Sequence, residues 1–562
     1  MPANLIRAFL DMVKRVMLRY KDEDIIIGWQ FGSGFTDMFY NDTALWQLNK
    51  VKSPYVLDYS KHAKDAFEKY LESRYTLSEL NVRYGMNYSS FDEVCLPEPD
   101  WAQSFDLHPQ WYDFQLFKTE VIQNFKNDQF ALMRKIDPKR KIISWGLRRG
   151  PIDMFLQPLK KFNVIFNASI FGSLGNNHLV HIARQNGVSC VNEDYMDQLY
   201  IKRYMKDLVI YQSITAGAIG HVAMRAWFNT GVYTADGIFS RWKPIFRRLL
   251  GSKPVAPEIG VISSFATQLC REKTFRNSYY PLGNLKYRTG LKVIKTLEYS
   301  GYNYNWSSDY TSNSIPQYPL LIDPNSSVLP LAYIKKLKDY VTDGGTLVLF
   351  SDSGIYEPEQ GNSLIKYPLL HELDFPTEHI QRTDNQQKIV HATNGWEEIN
   401  GAILHNSLRL SNALLPKIKV VASNDDNEPL VVKWRIGKGE IILFLGIFDW
   451  QTPYSRNLIT CLQNSRDMRP LMSISNGDKI CSSLLKKNGT YFAAFYNNSN
   501  KPQCIKIHSS LFDNKSKPIE CMELFTKTKL NVLVNPSFEV TLSLPEKSTR
   551  IVEFKVDNKQ KE

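Results

Sequence analysis

The sequence lacks the long apolar segments that a membrane span or a secretion signal requires. No run of apolar residues approaches the ~20 that are needed to cross a bilayer. Residues 1–20 alternate apolar and charged side chains at helical spacing, whereas a signal peptide has an uninterrupted apolar centre. We therefore expect a cytoplasmic protein that has no membrane partner.

Motifs for metals, disulfides and phosphate groups are also scarce. The 7 cysteines are dispersed, odd in number and without metal-ligand spacing, which favours reduced thiols. His178 and His181 are three residues apart but lack a third ligand nearby in sequence. Residues 172–175 are glycine-rich but lack the Gly-Lys-Ser/Thr ending of a phosphate loop. We therefore expect neither a cofactor nor a metal ion.

The positive charge of the chain is spread rather than concentrated. A formal net charge of +12 could indicate a nucleic-acid partner. However, the densest basic clusters are short, at residues 139–141 and 247–248, and the aromatic residues lie on apolar segments rather than among lysines and arginines. A solvated basic surface and no nucleic-acid partner are therefore expected.

With 562 residues, the chain is too long for one hydrophobic core, so two to four domains are expected. In its first part, apolar runs of strand length alternate with helical patterns, which predicts a parallel sheet. The predicted strands are residues 24–31, 141–146, 163–167, 188–192 and 221–228. A closed (β/α)₈ barrel needs eight strands. We therefore predict that residues 1–252 form an N-terminally incomplete (β/α) barrel, with the missing strands encoded upstream or supplied by a partner.

Two further domains are predicted after a Gly- and Pro-containing boundary at residues 251–257. A new α/β pattern at residues 253–465 indicates a Rossmann-like domain. From residue 466 to residue 556, short alternating segments with turn signals are typical of a small β-sandwich. Residues 557–562 form a charged tail. The predicted fold class is α/β, with a partial TIM-type barrel, a Rossmann-like domain and a C-terminal β-sandwich.

One carboxylate stands out in the first domain. The strand at residues 188–192 ends in Asn192, which Glu193 and Asp194 follow, and a helical segment then leads to the next strand. Side chains that follow the carboxyl ends of barrel strands build the active sites of α/β barrels. Glu193 is therefore the candidate catalytic residue, and the alternative is a helix N-terminal charge stabilised by the helix dipole.

Several local passages carry a resemblance to a known family. They are Ile27-Gly28-Trp29, Tyr75 to Asn81, Trp111 to Phe114, and Lys338 to Leu347, in which a helix runs through Gly-Gly into a strand. With the predicted domain order, these passages make nearly the whole chain resemble the family 42 β-galactosidases and their close relatives. The resemblance implies a (β/α)₈ barrel, a Rossmann-like trimerisation domain and a small β-sandwich. It also implies a homotrimer or another homo-oligomer.

The resemblance further implies a retaining mechanism with two carboxyl groups, the acid/base after the fourth strand and the nucleophile after the seventh. Counting strands back from the middle domain gives Glu193 the nucleophile position. In some relatives the acid lies in a Gly-x-Thr-Gly-Glu-Trp-Phe passage, and here residues 34–40 place Met38 where the glutamate belongs. The adjacent Asp37 is then the candidate acid/base, and the alternative for it is an ordinary loop residue.

Substrate-binding residues are expected around these two carboxylates. Hydroxyl-binding candidates are Asn192, Asp194 and Arg225; helix capping and an ordinary ion pair are the alternatives for Asp194 and Arg225. Stacking candidates are Trp29, Trp145 and Trp227, with core packing as the alternative. The predicted function is β-galactosidase-like hydrolysis of a carbohydrate substrate. The alternative, motivated by Met38, is an impaired or inactive carbohydrate-binding or assembly protein on the same scaffold.

Overall fold

The computed structural model describes the chain in twenty segments. They are residues 3–31, 60–97, 108–145, 153–169, 178–194, 203–218, 220–223, 238–255, 257–270, 285–311, 315–324, 326–359, 367–383, 385–393, 395–410, 418–450, 452–466, 468–512, 518–533 and 538–556. Within these segments, no helix combines the length and apolar character needed to cross a bilayer.

The first part of the chain is built on one parallel sheet. Its strands are β1 (Gly28–Phe31), β2 (Lys141–Trp145), β3 (Ile165–Ser169), β4 (Cys190–Asp194) and β5 (Gly220–Ala223). They lie side by side in chain order, and each neighbouring pair is parallel. The parallel sheet expected from the sequence is therefore confirmed, whereas its place in an incomplete barrel stays a prediction.

Helices precede, separate and follow the strands of this sheet along the chain. They are α1 (Ala3–Tyr20), α2 (Lys61–Glu72), α3 (Leu77–Tyr84), α4 (Pro109–Ile136), α5 (Asp153–Lys161), α6 (His178–Gln185), α7 (Arg203–Ala216) and α8 (Ile238–Leu249). Helix α3 begins with a capping box, in which Thr76 and Glu79 bond each other's backbone N–H groups. It ends at Gly85, whose φ of 66° is readily adopted by glycine.

The first predicted strand is shorter than expected. Residues 24–27 were expected to begin it, but they precede β1, and Ile25 and Ile27 are 85% and 89% exposed. The Arg140 side chain binds the backbone carbonyls of Lys21, Glu23 and Ile26. These carbonyls therefore bond to a guanidinium instead of to a neighbouring strand, and the apolar run does not extend the sheet.

An eight-stranded sheet dominates the middle part of the chain. The strands between residues 253 and 450 are β6 (Lys253–Pro254), β7 (Ile259–Ser263), β8 (Tyr304–Ser308), β9 (Leu320–Ile322), β10 (Thr346–Phe350), β11 (Ile380–Arg382), β12 (Gln387–Lys388), β13 (His391–Ala392), β14 (Ile403–His405), β15 (Leu408–Leu410), β16 (Lys419–Ser423), β17 (Pro429–Ile436), β18 (Gly439–Phe444) and β19 (Ile447–Phe448). The large sheet has the order β13-β16-β17-β18-β10-β9-β7-β8. Strands β8, β7, β9, β10 and β18 are parallel, and the β17–β18 hairpin continues the sheet with antiparallel pairs.

Helices lie between or after the strands of the middle part along the chain. They are α9 (Phe265–Cys270), α10 (Leu285–Tyr299), α11 (Leu331–Thr342), α12 (Pro368–Glu372) and α13 (Tyr454–Arg466). Between α11 and β10, Gly344 has a φ of 119°, and Gly345 lies so close to the Tyr340 ring that a Cβ atom would collide with it. The Gly-Gly pair therefore allows the tight return from helix to strand that the sequence predicts.

A polar contact joins the first and middle parts at the edge of the large sheet. Strand β8 has β7 as its neighbour on one side. On its other side, the Gln185 side chain accepts a hydrogen bond from the Trp306 N–H at 3.2 Å and donates one to the Trp306 carbonyl at 2.9 Å. The amide of Gln185 thus makes the two bonds that a further strand would make.

Two antiparallel sheets make up the last part. Its strands are β20 (Ser473–Ser475), β21 (Ile480–Lys487), β22 (Thr490–Asn497), β23 (Gln503–His508), β24 (Pro518–Glu523), β25 (Thr528–Lys529), β26 (Val532–Leu533), β27 (Glu539–Leu544) and β28 (Thr549–Val556). One sheet has the order β20-β23-β27-β26, and the other has the order β25-β24-β28-β22-β21-β6. Side chains of both sheets share one apolar cluster. Strand β6 belongs to this second sheet, so the segment after α8 is part of the C-terminal layer.

A buried ion pair connects α3, α4 and the middle part. Both oxygens of Asp113, which is 1% exposed, accept hydrogen bonds of 2.8 Å from the Arg83 guanidinium. The hydroxyl of Tyr84 donates to the same carboxylate at 3.0 Å. The remaining terminal nitrogen of Arg83 donates to the Glu359 carbonyl at 2.6 Å. One arginine therefore holds together two helices and a loop that follows β10.

We expect Arg83→Met to lower the free energy of unfolding by about 3–5 kcal/mol, because it leaves the buried Asp113 carboxylate without its cation. Urea unfolding followed by circular dichroism measures the loss. Lys338→Met is the matched control, since Lys338 pairs with Glu372 and Asp374 at the surface. This control should change stability by at most about 1 kcal/mol, and equal losses in both variants would contradict the importance of the buried pair.

A second prediction concerns pH. Burial raises the pKa of Glu258, just before β7, from 4.5 to about 7. Because the folded chain favours the protonated form, the stability contribution is fully present below pH ~4.5 and is lost as the pH rises through ~7. We expect Glu258→Gln to be less sensitive to pH than the wild type between pH 5 and pH 8, as measured by the melting temperature. Parallel pH profiles of the two proteins would refute the prediction.

Candidate functional site

Glu193 lies at the carboxyl end of an interior strand. It is the fourth residue of β4, and it pairs in register with Ser169 of β3 on one side and Val222 of β5 on the other. Because the strands are parallel, their carboxyl ends meet at one edge of the sheet. The backbone therefore places Glu193 where an α/β enzyme gathers its reactive groups.

The register also assigns the neighbouring residues to the two faces of the sheet. Successive residues of a strand lie on alternate faces, and paired residues of parallel strands share a face. Glu193 is thus on the same face as Ser169 and Asn167, while Asn192 and Asp194 are on the other. The second face is the one on which Phe166 and Cys190 are buried in the apolar cluster with the helices.

Trp29 occupies a core position. It pairs with Ile142, is 6% exposed, and its indole N–H donates to Asp137 at 2.8 Å. Burial alone would raise the pKa of Asp137, but hydrogen bonds from Trp29 and Arg140 lower it to about 2. Asp137 follows α4 and precedes β2, so this contact is at the end of the sheet opposite to Glu193. The contacts of Trp29 are those of a core residue rather than of a stacking platform.

Two polar residues of β3 were not singled out from the sequence. Asn167 pairs with Trp145 at the end of β2, and Ser169 pairs with Glu193. Asn167 is 1% exposed, so its amide lies within the protein at the carboxyl edge of the sheet. A polar residue directly after the apolar run at residues 164–166 was the available signal.

Other predicted site residues lie partly or wholly outside the described structure. Asp37, Arg225 and Trp227 are outside the described residues. For Trp145, Asn192, Glu193 and Asp194 the structure describes the backbone and the strand, and their side chains are outside it. The structure therefore brings Trp145, Asn192, Glu193 and Asp194 to one edge of a sheet and leaves their roles as proposals.

Two titratable groups at the amino end of β4 are buried in the helical layer. Burial raises the pKa of the Cys190 thiol well above its usual value, so this cysteine is not an activated nucleophile. Burial also lowers the pKa of Arg184, on α6. Among the described side chains, no three His, Cys, Asp or Glu residues are grouped so that they could hold a metal ion.

Comparisons with known proteins relate this arrangement to one group of enzymes. Residues 4–156 match the family model described as β-galactosidase of glycoside hydrolase family 42. This match covers α1 to α4 and the first two strands of the parallel sheet. No curated protein sequence matches the chain.

Solved structures share the fold over nearly the whole chain. The β-galactosidase of Bacillus circulans sp. alkalophilus is 15% identical, with a TM-score of 0.73 over 98% of this chain and 82% of that one. The cold-adapted β-galactosidase of Rahnella sp. R3 is 14% identical, with a TM-score of 0.73 over 99% and 82%. The α-L-fucosidase isoenzyme 2 of Paenibacillus thiaminolyticus is 10% identical, with a TM-score of 0.59 over 98% and 80%.

These neighbours share an α/β fold but are named for different sugars, so the fold alone does not select a substrate. The family match covers α1 to α4 with β1 and β2 and ends before β3, and the structural matches extend over the rest of the chain. The resemblance drawn from the sequence is thereby confirmed: this chain has the fold of the family 42 glycoside hydrolases, the β-galactosidases among them.

Proposed function

We propose that this protein is a glycoside hydrolase that cleaves β-galactoside-like substrates with retention of the anomeric configuration. The observation that supports it best is the position of Glu193. A carboxylate-bearing residue ends an interior parallel strand, paired on both sides, in a chain with the fold of family 42 enzymes. In retaining glycosidases such a residue attacks the anomeric carbon and forms a glycosyl-enzyme intermediate.

In this proposal Asp37 is the acid/base partner. Retention requires two carboxyl groups about 5–5.5 Å apart. Aspartate is one methylene shorter than glutamate, so Asp37 has to stand closer to the glycosidic oxygen than a glutamate would. Met38 occupies the position at which some relatives have the acid. We therefore expect slow protonation of poor leaving groups, and we expect turnover to depend strongly on the leaving group.

The proposed sugar-binding groups come from the same carboxyl edge of the sheet as Glu193 and from the segment that follows β5. Asn192, Asp194 and Arg225 offer polar or charged groups for sugar hydroxyls, and Trp145 and Trp227 offer aromatic faces for the apolar side of a sugar ring. This proposal rests on the ends of two strands, since Trp145 ends β2 and Asn192 to Asp194 end β4.

The central test is Glu193→Gln, assayed with an aryl β-galactoside that has a good leaving group. Such a substrate needs little help from the acid, so its turnover reports on the nucleophile. We expect the variant to lose roughly 10³-fold or more in kcat, because an amide is a far poorer nucleophile than a carboxylate. Unchanged turnover of the aryl substrate would refute the assignment of Glu193.

Asp37→Asn provides the matched comparison. It should retain most of the kcat/KM for the activated aryl galactoside, because kcat/KM reports the first step and that leaving group needs no protonation, but lose roughly 10²–10⁴-fold in kcat/KM on an alkyl galactoside, whose leaving group needs protonation. Equal effects on both substrates would exclude Asp37 as the acid. If calorimetry shows that the wild type binds galactosides without turning them over, the alternative of a carbohydrate-binding protein on this scaffold replaces the enzyme.

We also propose that the five-stranded sheet is part of a TIM-type barrel, that the middle part is a Rossmann-like assembly domain, and that the last part is a β-sandwich. The resemblance to family 42 then favours a homotrimer. Light scattering coupled to size exclusion should give about three times the 65.0 kDa mass of one chain. A single monomeric peak at every accessible concentration would contradict this assembly.

A further inference from the structure

One buried carboxylate lies where helix α7, helix α8 and strand β28 meet. Asp207 is 7% exposed and belongs to the first half of α7. Its Oδ1 accepts hydrogen bonds from Arg241 at 2.5 Å and from the Trp242 indole at 3.2 Å. Its Oδ2 accepts the backbone N–H of Thr549 at 3.1 Å. The carboxylate therefore bonds to α8 and to the first residue of β28 at once.

Further contacts tie the same three elements together. The Thr549 hydroxyl donates to the Asp207 carbonyl at 3.2 Å, and Trp242 packs edge-on against Phe525 with ring centroids 4.7 Å apart. Trp242 and Thr549 are both fully buried. The first half of α7, the first half of α8 and the C-terminal sheet thus form one packed joint.

The position of this joint relates it to the site. Helix α7 is the next described helix along the chain after β4, which carries Glu193, and α8 is the next after β5. In a parallel α/β arrangement, a helix that follows a strand begins at the carboxyl edge of the sheet. Asp207 therefore holds the first halves of the two helices that begin on the side of the sheet where Glu193 lies.

The far end of α8 has a separate anchor. The Arg248 guanidinium binds both carboxylate oxygens of Glu553, at 2.9 and 2.6 Å, and Glu553 is also on β28. Strand β28 consequently holds α8 near its start through Asp207 and Thr549, and near its end through Glu553. The chain thus offers two anchors of similar chemistry on the same helix and strand, one near the site and one remote from it.

We propose that Asp207 is a positioning residue, through which the C-terminal sheet fixes the carboxyl edge of the catalytic sheet. The effect that we expect on turnover when Asp207 is replaced rests on the proposed glycosidase function. Asp207 acts through α7 and α8, since its carboxylate binds Arg241, Trp242 and the backbone of Thr549. The C-terminal sheet is on this view part of the catalytic apparatus rather than an independent appendage.

The test compares Asp207→Asn with Arg248→Met in the full-length chain, by amide hydrogen exchange and by turnover of the aryl β-galactoside. Asp207→Asn should speed exchange of the hydrogen-bonded amides in the first halves of α7 and α8 and lower kcat roughly 10- to 100-fold, with a smaller change in KM, because small displacements of catalytic groups cost rate. Arg248→Met should speed exchange only in the last turn of α8 and keep kcat within about twofold of the wild type.

Two results would overturn the proposal: wild-type exchange and turnover in Asp207→Asn, or equal losses of turnover in both variants, which would indicate general destabilisation. Thr549→Val removes only the hydroxyl donor; it should show the same changes on a smaller scale and serves if Asp207→Asn does not fold. If the wild type has no turnover, the proposed function fails, and the exchange pattern alone then decides whether Asp207 anchors the first halves of the two helices.

Discussion

Strand β4 pairs with a parallel strand on each side, and this double pairing fixes the position of Glu193 in the sheet. A shift by one residue would move Glu193 to the face that packs against the helices, because side chains alternate between faces. Cys190 is buried among helix residues, and a shift by one residue would move it to the other face. Its burial therefore opposes such a shift. The position of the candidate nucleophile is therefore a consequence of packing on the opposite face.

Buried ionic groups connect the three parts of the chain. Asp113 with Arg83, Asp207 with Arg241, and Glu553 with Arg248 each pair a carboxylate at most 7% exposed with an arginine. The Arg83 side chain is 11% exposed, whereas those of Arg241 and Arg248 are 42% and 47% exposed, so only the first pair is buried on both sides. In all three, removing the arginine would leave a buried carboxylate without its cation, which is costly. Such pairs suit junctions, where the relative placement of two elements matters more than the gain in stability.

The elements predicted best from the sequence are those with local signals. Helix α11 ends and strand β10 begins where the sequence predicts the change from helix to strand, because the Gly-Gly pair marks that point. The first strand was predicted too long, because the guanidinium of Arg140, more than a hundred residues away, binds backbone carbonyls within residues 21–26. Trp29 could not be assigned to the core from sequence, since its partner Asp137 is equally remote. The parallel order and the place of Glu193 near a strand end followed from alternation, whereas Asp207 depends on tertiary contacts that no local pattern carries.

The contact of Gln185 with β8 bears on how the protein fails when heated. Open strand edges pair readily with other chains, and proteins protect them. Here the protection at Trp306 comes from a side chain of α6, so it lasts only while that helix stays docked. Detachment of α6 would uncover a sheet edge before the sheet itself melts, and the first product of heating would then be intermolecular association rather than a soluble unfolded chain.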